Sequence, residues 1–360
     1  MNLRNKSYCI FNVQYSKEEY EQKKKELRLS AFNALCELRE RAENFWKDHP
    51  VRYYHGMNND DISGDNISYS KNAHMCFDVV GAEDSSYCQI LHQKSTKSSY
   101  DYAIWGHNSE LMYESIEVGS GAYNTRFAVA SDIGLTEASY TLNCSSSSNL
   151  FGCINLRNSS YCIFNKQYSK EEYEQLVPRI IEQMNVMPYK DMKGRAYAFG
   201  EFFPIELSPF AYNETIAQEY FPLSTQEAQA NGHRWLEPMK RLSGYTLKGA
   251  NLDDEISDIQ DTIIKEIIAC AHNQECNDQC TGAYKITHLE LEFYRRLALP
   301  LPRLCSNCRH NKRIANRNPL RLWQRTCQNP MGCGSSFETS YAPDRVEKVY
   351  CETCYQKEII

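Results

Sequence analysis

A chain of 360 residues with 40 basic and 46 acidic side chains carries a formal net charge of −6, which excludes a uniformly basic nucleic-acid coat. No run approaches the roughly 20 apolar residues that a membrane-crossing helix needs, and the opening MNLRNKSY has no signal-peptide core, so neither membrane insertion nor secretion is expected. The length allows two or three domains, and 16 cysteines in a chain of this size point to reduced, metal-bound thiols in a cytoplasmic protein rather than to a disulfide framework.

The chain repeats itself. Residues 2–22 (NLRNKSYCIFNVQYSKEEYEQ) return at 155–175 with changes only at Lys6 against Ser159 and Val13 against Lys166. In each copy Tyr-Cys-Ile-Phe-Asn predicts a strand, and Ser16 with Glu19, or Ser169 with Glu172, forms a capping box that opens a helix. The first helix is expected to run through Lys23 to about Trp46 and the second to about Met184. Residues 1–60 are therefore read as a strand-turn-helix unit that ends a β-stack whose upstream part is missing, so that Met1 need not be the native start.

Residues 61–199 have a different texture. Strand-like patches recur at 67–69, 76–79, 87–90, 100–104, 111–113, 122–127, 140–142, 150–154 and 161–164, separated by Ser, Asn, Gly and Asp. This spacing predicts a parallel β-solenoid, with an antiparallel sandwich as the alternative, and the second repeat unit and its helix should cap the last coil. The fold class is thus mixed, mainly β. Residues 200–252 read as an aromatic and Pro-rich connector, with a short helix opened by Ser224 and Glu227 and ended near Gly232. A helix is predicted from Asp254 to Ala271, with Ile256, Ile259, Ile263, Ile264, Ile267 and Ile268 as its apolar face.

Four cysteine pairs mark 253–360 as that helix followed by a tandem zinc-ribbon module. Closely spaced thiolates take adjacent corners of a tetrahedron about Zn²⁺, and two such pairs complete a four-sulfur site. Cys276, Cys280, Cys305 and Cys308 are assigned to the first zinc site, with Cys270, His272, His288 or His310 as substitutes; Cys327, Cys333, Cys351 and Cys354 are assigned to the second. An interleaved pairing is left open. Closed sites of this kind hold a fold and leave no corner for substrate.

Between Phe293 and Phe337 there is no acid, while Arg295, Arg296, Arg303, Arg309, Lys312, Arg313, Arg317, Arg321 and Arg325 are all basic. With Trp323 interleaved, Arg303, Arg309, Lys312, Arg313, Arg317, Arg321 and Arg325 are candidates to contact RNA or single-stranded DNA by charge and stacking. The competing reading is that arginines here neutralise thiolate charge or face a protein. No phosphate loop, nucleophile elbow or HExxH motif occurs. His310-Asn311 as part of a metal-dependent nuclease, and Asp78, Asp101, His92 and His107 as a glycan-cleaving groove, are the minor catalytic alternatives.

The segments ELEFYRRLALPLPRLCSNCRHNKR and FETSYAPDRVEKVYCETCY, preceded by GEFFPIELSPFAYNETIAQEYFPLSTQEA, resemble a bacterial protein family of uncharacterised function with tandem C-terminal zinc ribbons. The resemblance covers about 145–360 and implies zinc at the cysteine pairs, without an established enzymatic activity. Cys305, Cys308, Cys351 and Cys354 match best, followed by Cys280 and by Cys333 with Gly334; the wide gap after Cys327 departs from the usual tight pair. The expected function is a zinc-stabilised, non-enzymatic binding protein with nucleic acid on its basic strip and a protein partner on the solenoid. The alternative is a structural or interaction protein with ribbons as docking modules and the solenoid as a protein- or glycan-binding surface.

Overall fold

A computed structural model describes residues 2–92, 95–237, 244–272, 276 and 279–359. Its centre is a β-solenoid of about eight turns over residues 56–163. Successive rungs are parallel: Ile67 pairs with Val79, twelve residues on, and Tyr100 with Tyr113, thirteen on.

The rungs obey a three-residue rule. Ile67, Ser70, Ala73, Cys76, Val79, Ala82, Ser85, Cys88 and Leu91 all point inward and are buried. Before most of them stands a residue in the left-handed region: Asn66, Tyr69, Asn72, Met75, Asp78, Asp84, Tyr87 and Ile90, with φ between 48° and 58°. Each such corner costs an L-residue about 1–2 kcal/mol, and the ladder between rungs offsets it. Several corner side chains add to the ladder, with the Asn66 amide donating to Asp78 Oδ1 at 2.9 Å and the Asn72 amide to Asp84 Oδ1 at 2.7 Å.

The inward serines are satisfied rather than stranded. Ser99 Oγ donates to the Lys97 carbonyl at 2.8 Å and accepts from the Met112 N–H of the next rung at 3.3 Å. Ser115 bonds in the same way to the Tyr113 carbonyl and the Ala128 N–H. A small hydroxyl therefore fits a narrow interior without an unpaired polar group.

Eight α-helices lie among the described residues. In chain order they are α1 (Lys17–Glu26), α2 (Phe32–Asp48), α3 (Lys170–Val186), α4 (Ala217–Tyr220), α5 (Thr225–Ala230), α6 (His288–Leu297), α7 (Ser306–Ile314) and α8 (Glu352–Gln356). The last rung, Ser160–Ile163, turns back through Lys166–Gln167, and α3 then covers it. Tyr173, Leu176, Val177, Ile180 and Ile181 pack there with Phe151 and Ile163, as a cap should. The opposite edge is closed by the C-terminal module: Val349–Tyr350 pairs in parallel with Val51–Arg52, Thr339 Oγ1 donates to the Tyr53 carbonyl at 2.6 Å, and the Phe337 and Tyr53 rings lie 4.8 Å apart.

Two sequence expectations fail. The first helix breaks at Leu27–Ala31, where Arg28 takes a φ of 47° and Ala31 is wholly buried beside Glu255. The helix over Asp254–Ala271 is replaced by 3₁₀ turns at Ile256–Asp258 and Asp261–Lys265 and a strand at Ile268–Ala269. β-Branched isoleucines are weak helix formers, and here Ile256, Ile259, Ile263 and Ile268 reach one core with Leu252, Ile286, Leu291 and Leu301. The early acids serve another helix instead. Asp254 Oδ1 accepts from the Asn33 N–H at 2.9 Å in the first turn of α2, and Glu255 holds Ser30 and Arg28. The short helix expected after Ser224 is α5, whereas residues 238–243 of the connector lie outside the described residues.

Candidate metal centres and the basic surface

Each cysteine centre combines a hairpin loop with the start of a helix. In the first, Ala269 pairs with Ala283, and the loop between them carries Cys270 at one end and Cys280 at the other. Cys305 is the N-cap of α7 and Cys308 lies in its first turn, where the helix dipole favours thiolates. In the second, strands Trp323–Thr326 and Ser336–Thr339 flank a loop with Cys327 and Cys333, facing Cys351 and Cys354 at the start of α8. The sequence anticipates paired ribbon loops, but in each centre the second pair sits on a helix.

The sulfurs form two compact groups, Cys270 with Cys280, Cys305 and Cys308, and Cys327 with Cys333, Cys351 and Cys354. Within the first, Cys270–Cys308, Cys280–Cys305 and Cys305–Cys308 are 3.8, 3.9 and 3.5 Å apart; within the second, Cys333–Cys351 is 3.7 Å. Four sulfurs at about 2.3 Å from a tetrahedral zinc lie about 3.8 Å from one another, whereas a disulfide closes to about 2.05 Å. The donor set and spacing therefore fit Zn²⁺.

Backbone amides complete each site. Cys305 N–H donates to Cys270 Sγ at 3.3 Å, Gly282 N–H to Cys280 Sγ at 3.4 Å, and Cys351 N–H to Cys327 Sγ at 3.3 Å. Without metal the thiols are uneven. Burial pushes Cys270 up to about 11, while Cys305, although burial opposes it, is held down at about 6 by bonds from Cys308 and Thr281. In the second centre Ser335 holds Cys333 at about 6, and burial raises Cys354 to about 12. Zinc held here would displace protons from the high members, so its affinity would fall with pH.

One assignment changes. Cys270, given only as a substitute in the sequence reading, takes the corner given to Cys276. Cys276 lies on the same loop with its Sγ 3.6 Å from that of Cys308, in a group with His272. The hairpin explains the choice, because its strand holds Cys270 next to Gly282 through a 2.8 Å backbone bond. A spacing rule that starts from tight pairs passes over this cysteine. Cys327, which departs from the tight-pair pattern, does join the second group.

The basic strip divides. Arg303 donates to the Gly249 and Asp253 carbonyls and stacks on Phe32 at 4.7 Å. Arg309 bonds to Tyr294 Oη at 3.1 Å, and Arg325 to the Ala342 carbonyl at 3.0 Å and Gln328. Arg317 joins Asp78 at 2.7 Å and Tyr220 at 2.9 Å, and Arg295 joins Asp261 at 2.6 Å. Arg321 lies over the Trp323 ring at 5.2 Å, whereas Lys312 and Arg313 are exposed on α7.

The minor catalytic candidates are also placed. His310 Nε2 meets Glu219 Oε1 at 2.8 Å, and Asp78 is held by Arg317. Burial raises the Asp101 carboxyl above its ordinary range. No helix among the described residues is long and apolar enough to cross a membrane. No known family model matches the chain, and no curated protein matches it.

Proposed function

We propose that the chain is a non-enzymatic, zinc-stabilised binding protein of the cytoplasm, in which two Cys₄ zinc centres hold a module that contacts single-stranded nucleic acid while the β-solenoid serves as scaffold. The observation that carries this reading is the acid-free segment from Phe293 to Phe337, whose Lys312, Arg313 and Arg321 are exposed and whose Trp323 lies under Arg321. Cations that contact phosphates release counterions, and an aromatic ring accepts an unpaired base of any sequence. The contact set is narrower than the strip, since Arg303, Arg309, Arg317 and Arg325 have partners within the chain. The resemblance to bacterial proteins with tandem zinc ribbons supports the zinc half of the proposal alone.

The test is retardation of labelled single-stranded RNA and DNA at several salt concentrations. With three phosphate contacts, log K should fall with log salt at a slope of about −2, and the charge reversal K312E/R313E/R321E should abolish retardation while leaving metal content intact. Binding that ignores salt, or survives the reversal, contradicts the proposal. A second reading, in which the module is a docking and structural element, is favoured by the arginines that tie it inward: Arg317 reaches the solenoid at Asp78, and Arg303 reaches the Asp253 carbonyl just before the acids that partner α2. Absence of retardation with both metals in place would support that reading.

A further inference from the structure

Residues 2–14 are folded as a solenoid rung although, among the described residues, no rung covers them. Asn2, Asn5, Tyr8, Phe11 and Asn12 have φ of 57°, 56°, 54°, 48° and 62°, against 57°, 50°, 53°, 48° and 64° for Asn155, Asn158, Tyr161, Phe164 and Asn165 in the second copy. The hairpins share one register, Cys9 with Gln14 and Ile10 with Val13, against Cys162 with Gln167 and Ile163 with Lys166.

The surroundings of the two copies differ. In the second, the preceding rung receives the N–H groups: Asn155 donates to Leu142 at 2.9 Å, Asn158 to Ser145 at 3.3 Å and Phe164 to Phe151 at 3.0 Å. Among the described residues nothing accepts from the N–H of Asn5 or Phe11, and the sheet of Cys9–Ile10 with Val13–Gln14 has only those two strands. Tyr8 is 42% exposed and Cys9 is partly open, whereas Cys162 is 4% exposed. Among the described residues, left-handed residues at this three-residue spacing otherwise occur in rungs that have a bonded neighbouring rung, and outside such a ladder the conformation disfavours an L-residue.

We propose that the parallel edge of residues 2–14 is a docking site for the terminal rung of a β-solenoid of the same twelve-residue class, supplied by polypeptide other than this chain's own 56–163 solenoid. Docking is strand addition, with backbone ladders giving affinity and the inward column giving register. The second copy defines the occupant: a rung like 143–154, with Cys144, Ser147, Leu150 and Cys153 inward and carbonyls presented to the incoming edge. A second copy of this chain is the poorer occupant, because its end rung is held by α3 through Leu176, Val177 and Ile181, where the first repeat has Lys23, Lys24 and Arg28. The one change that bears on an inward position is Lys6 in place of Ser159, and a lysine stem can line the column while its ammonium stays in water.

The double variant S159K/K166V gives the second copy the sequence of the first, so it asks directly whether that sequence seats on a rung. Hydrogen exchange read by mass spectrometry should show 160–163 protected to within about threefold of the parent, and in the parent 7–10 should exchange at least about 100-fold faster than 160–163. Loss of protection at 160–163 in the variant overturns the proposal. So does protection of 7–10 in the parent, which, with a dimer by light scattering, would identify a second copy as the occupant. A chain with residues 56–154 placed ahead of Asn2 should slow exchange at 7–10 at least about tenfold; a folded fusion with no slowing overturns it equally.

Discussion

Asp65 shows how much one side chain holds here. It is buried, it accepts from the His55 backbone at 2.8 Å and the His55 ring at 3.1 Å, and it takes the Ser340 hydroxyl of the C-terminal module. Burial alone would raise its pKa, yet the His55 and Ser340 bonds hold it below the ordinary carboxylate range. A lowered folded pKa means that the stabilisation is complete above the unfolded value of about 3.9 and is lost as pH falls through the folded one. Asp65→Asn should therefore lower stability by about 1–3 kcal/mol at pH 7, with a gap in urea titrations that does not shrink until pH falls below the carboxylate range. A gap that narrows on going from pH 7 to 5 would contradict this account.

At the scale of elements, the hairpin-and-helix design decides which cysteines come together. Cys270 is fixed by the strand it ends, while Cys276 sits midway along the loop. Cys270→Ser should lower bound zinc from two equivalents to one and Cys276→Ser should leave two, as read by metal analysis of purified protein. The reverse outcome would return Cys276 to the first site. The CxxC pairs were legible in the sequence because Cys305 and Cys351 are fixed by short-range helix starts; Cys270 was not, because its partner Cys280 is brought near only by the pairing of Ala269 with Ala283. The same distinction explains the helices. Capping boxes at Ser16, Ser169 and Ser224 are local and present in the structure, whereas the isoleucines after Asp254 carry a helical period that long-range burial overrides.

For the whole molecule, the two ends of the solenoid are closed by different means. α3 covers the last rung, and the C-terminal module braces the first rungs and the strand before them through Val349–Tyr350, Thr339 and Arg317. The solenoid was legible from the recurrence of short strands; its three-residue rule was written there as well, in the recurrence of Asn, Asp or Tyr followed by a small or aliphatic residue, but a period of three is neither the strand's two nor the helix's 3.6. What the sequence hid was the use of the arginines. Arg303, Arg309, Arg317 and Arg325 look alike in a charge run, and only the fold shows that Asp78, Tyr294 and backbone carbonyls from distant segments receive them.

Metal is central to this account, since binding free energy at a structural four-sulfur centre is also folding free energy of the module that braces the first rungs. The most direct measurement is native mass spectrometry of the purified chain, before and after a strong chelator, with hydrogen exchange followed at Val51–Arg52 and Val349–Tyr350. The account predicts a mass excess of two zinc ions, lost on chelation together with protection of both strands. A chain that carries no metal and keeps those strands protected would contradict it.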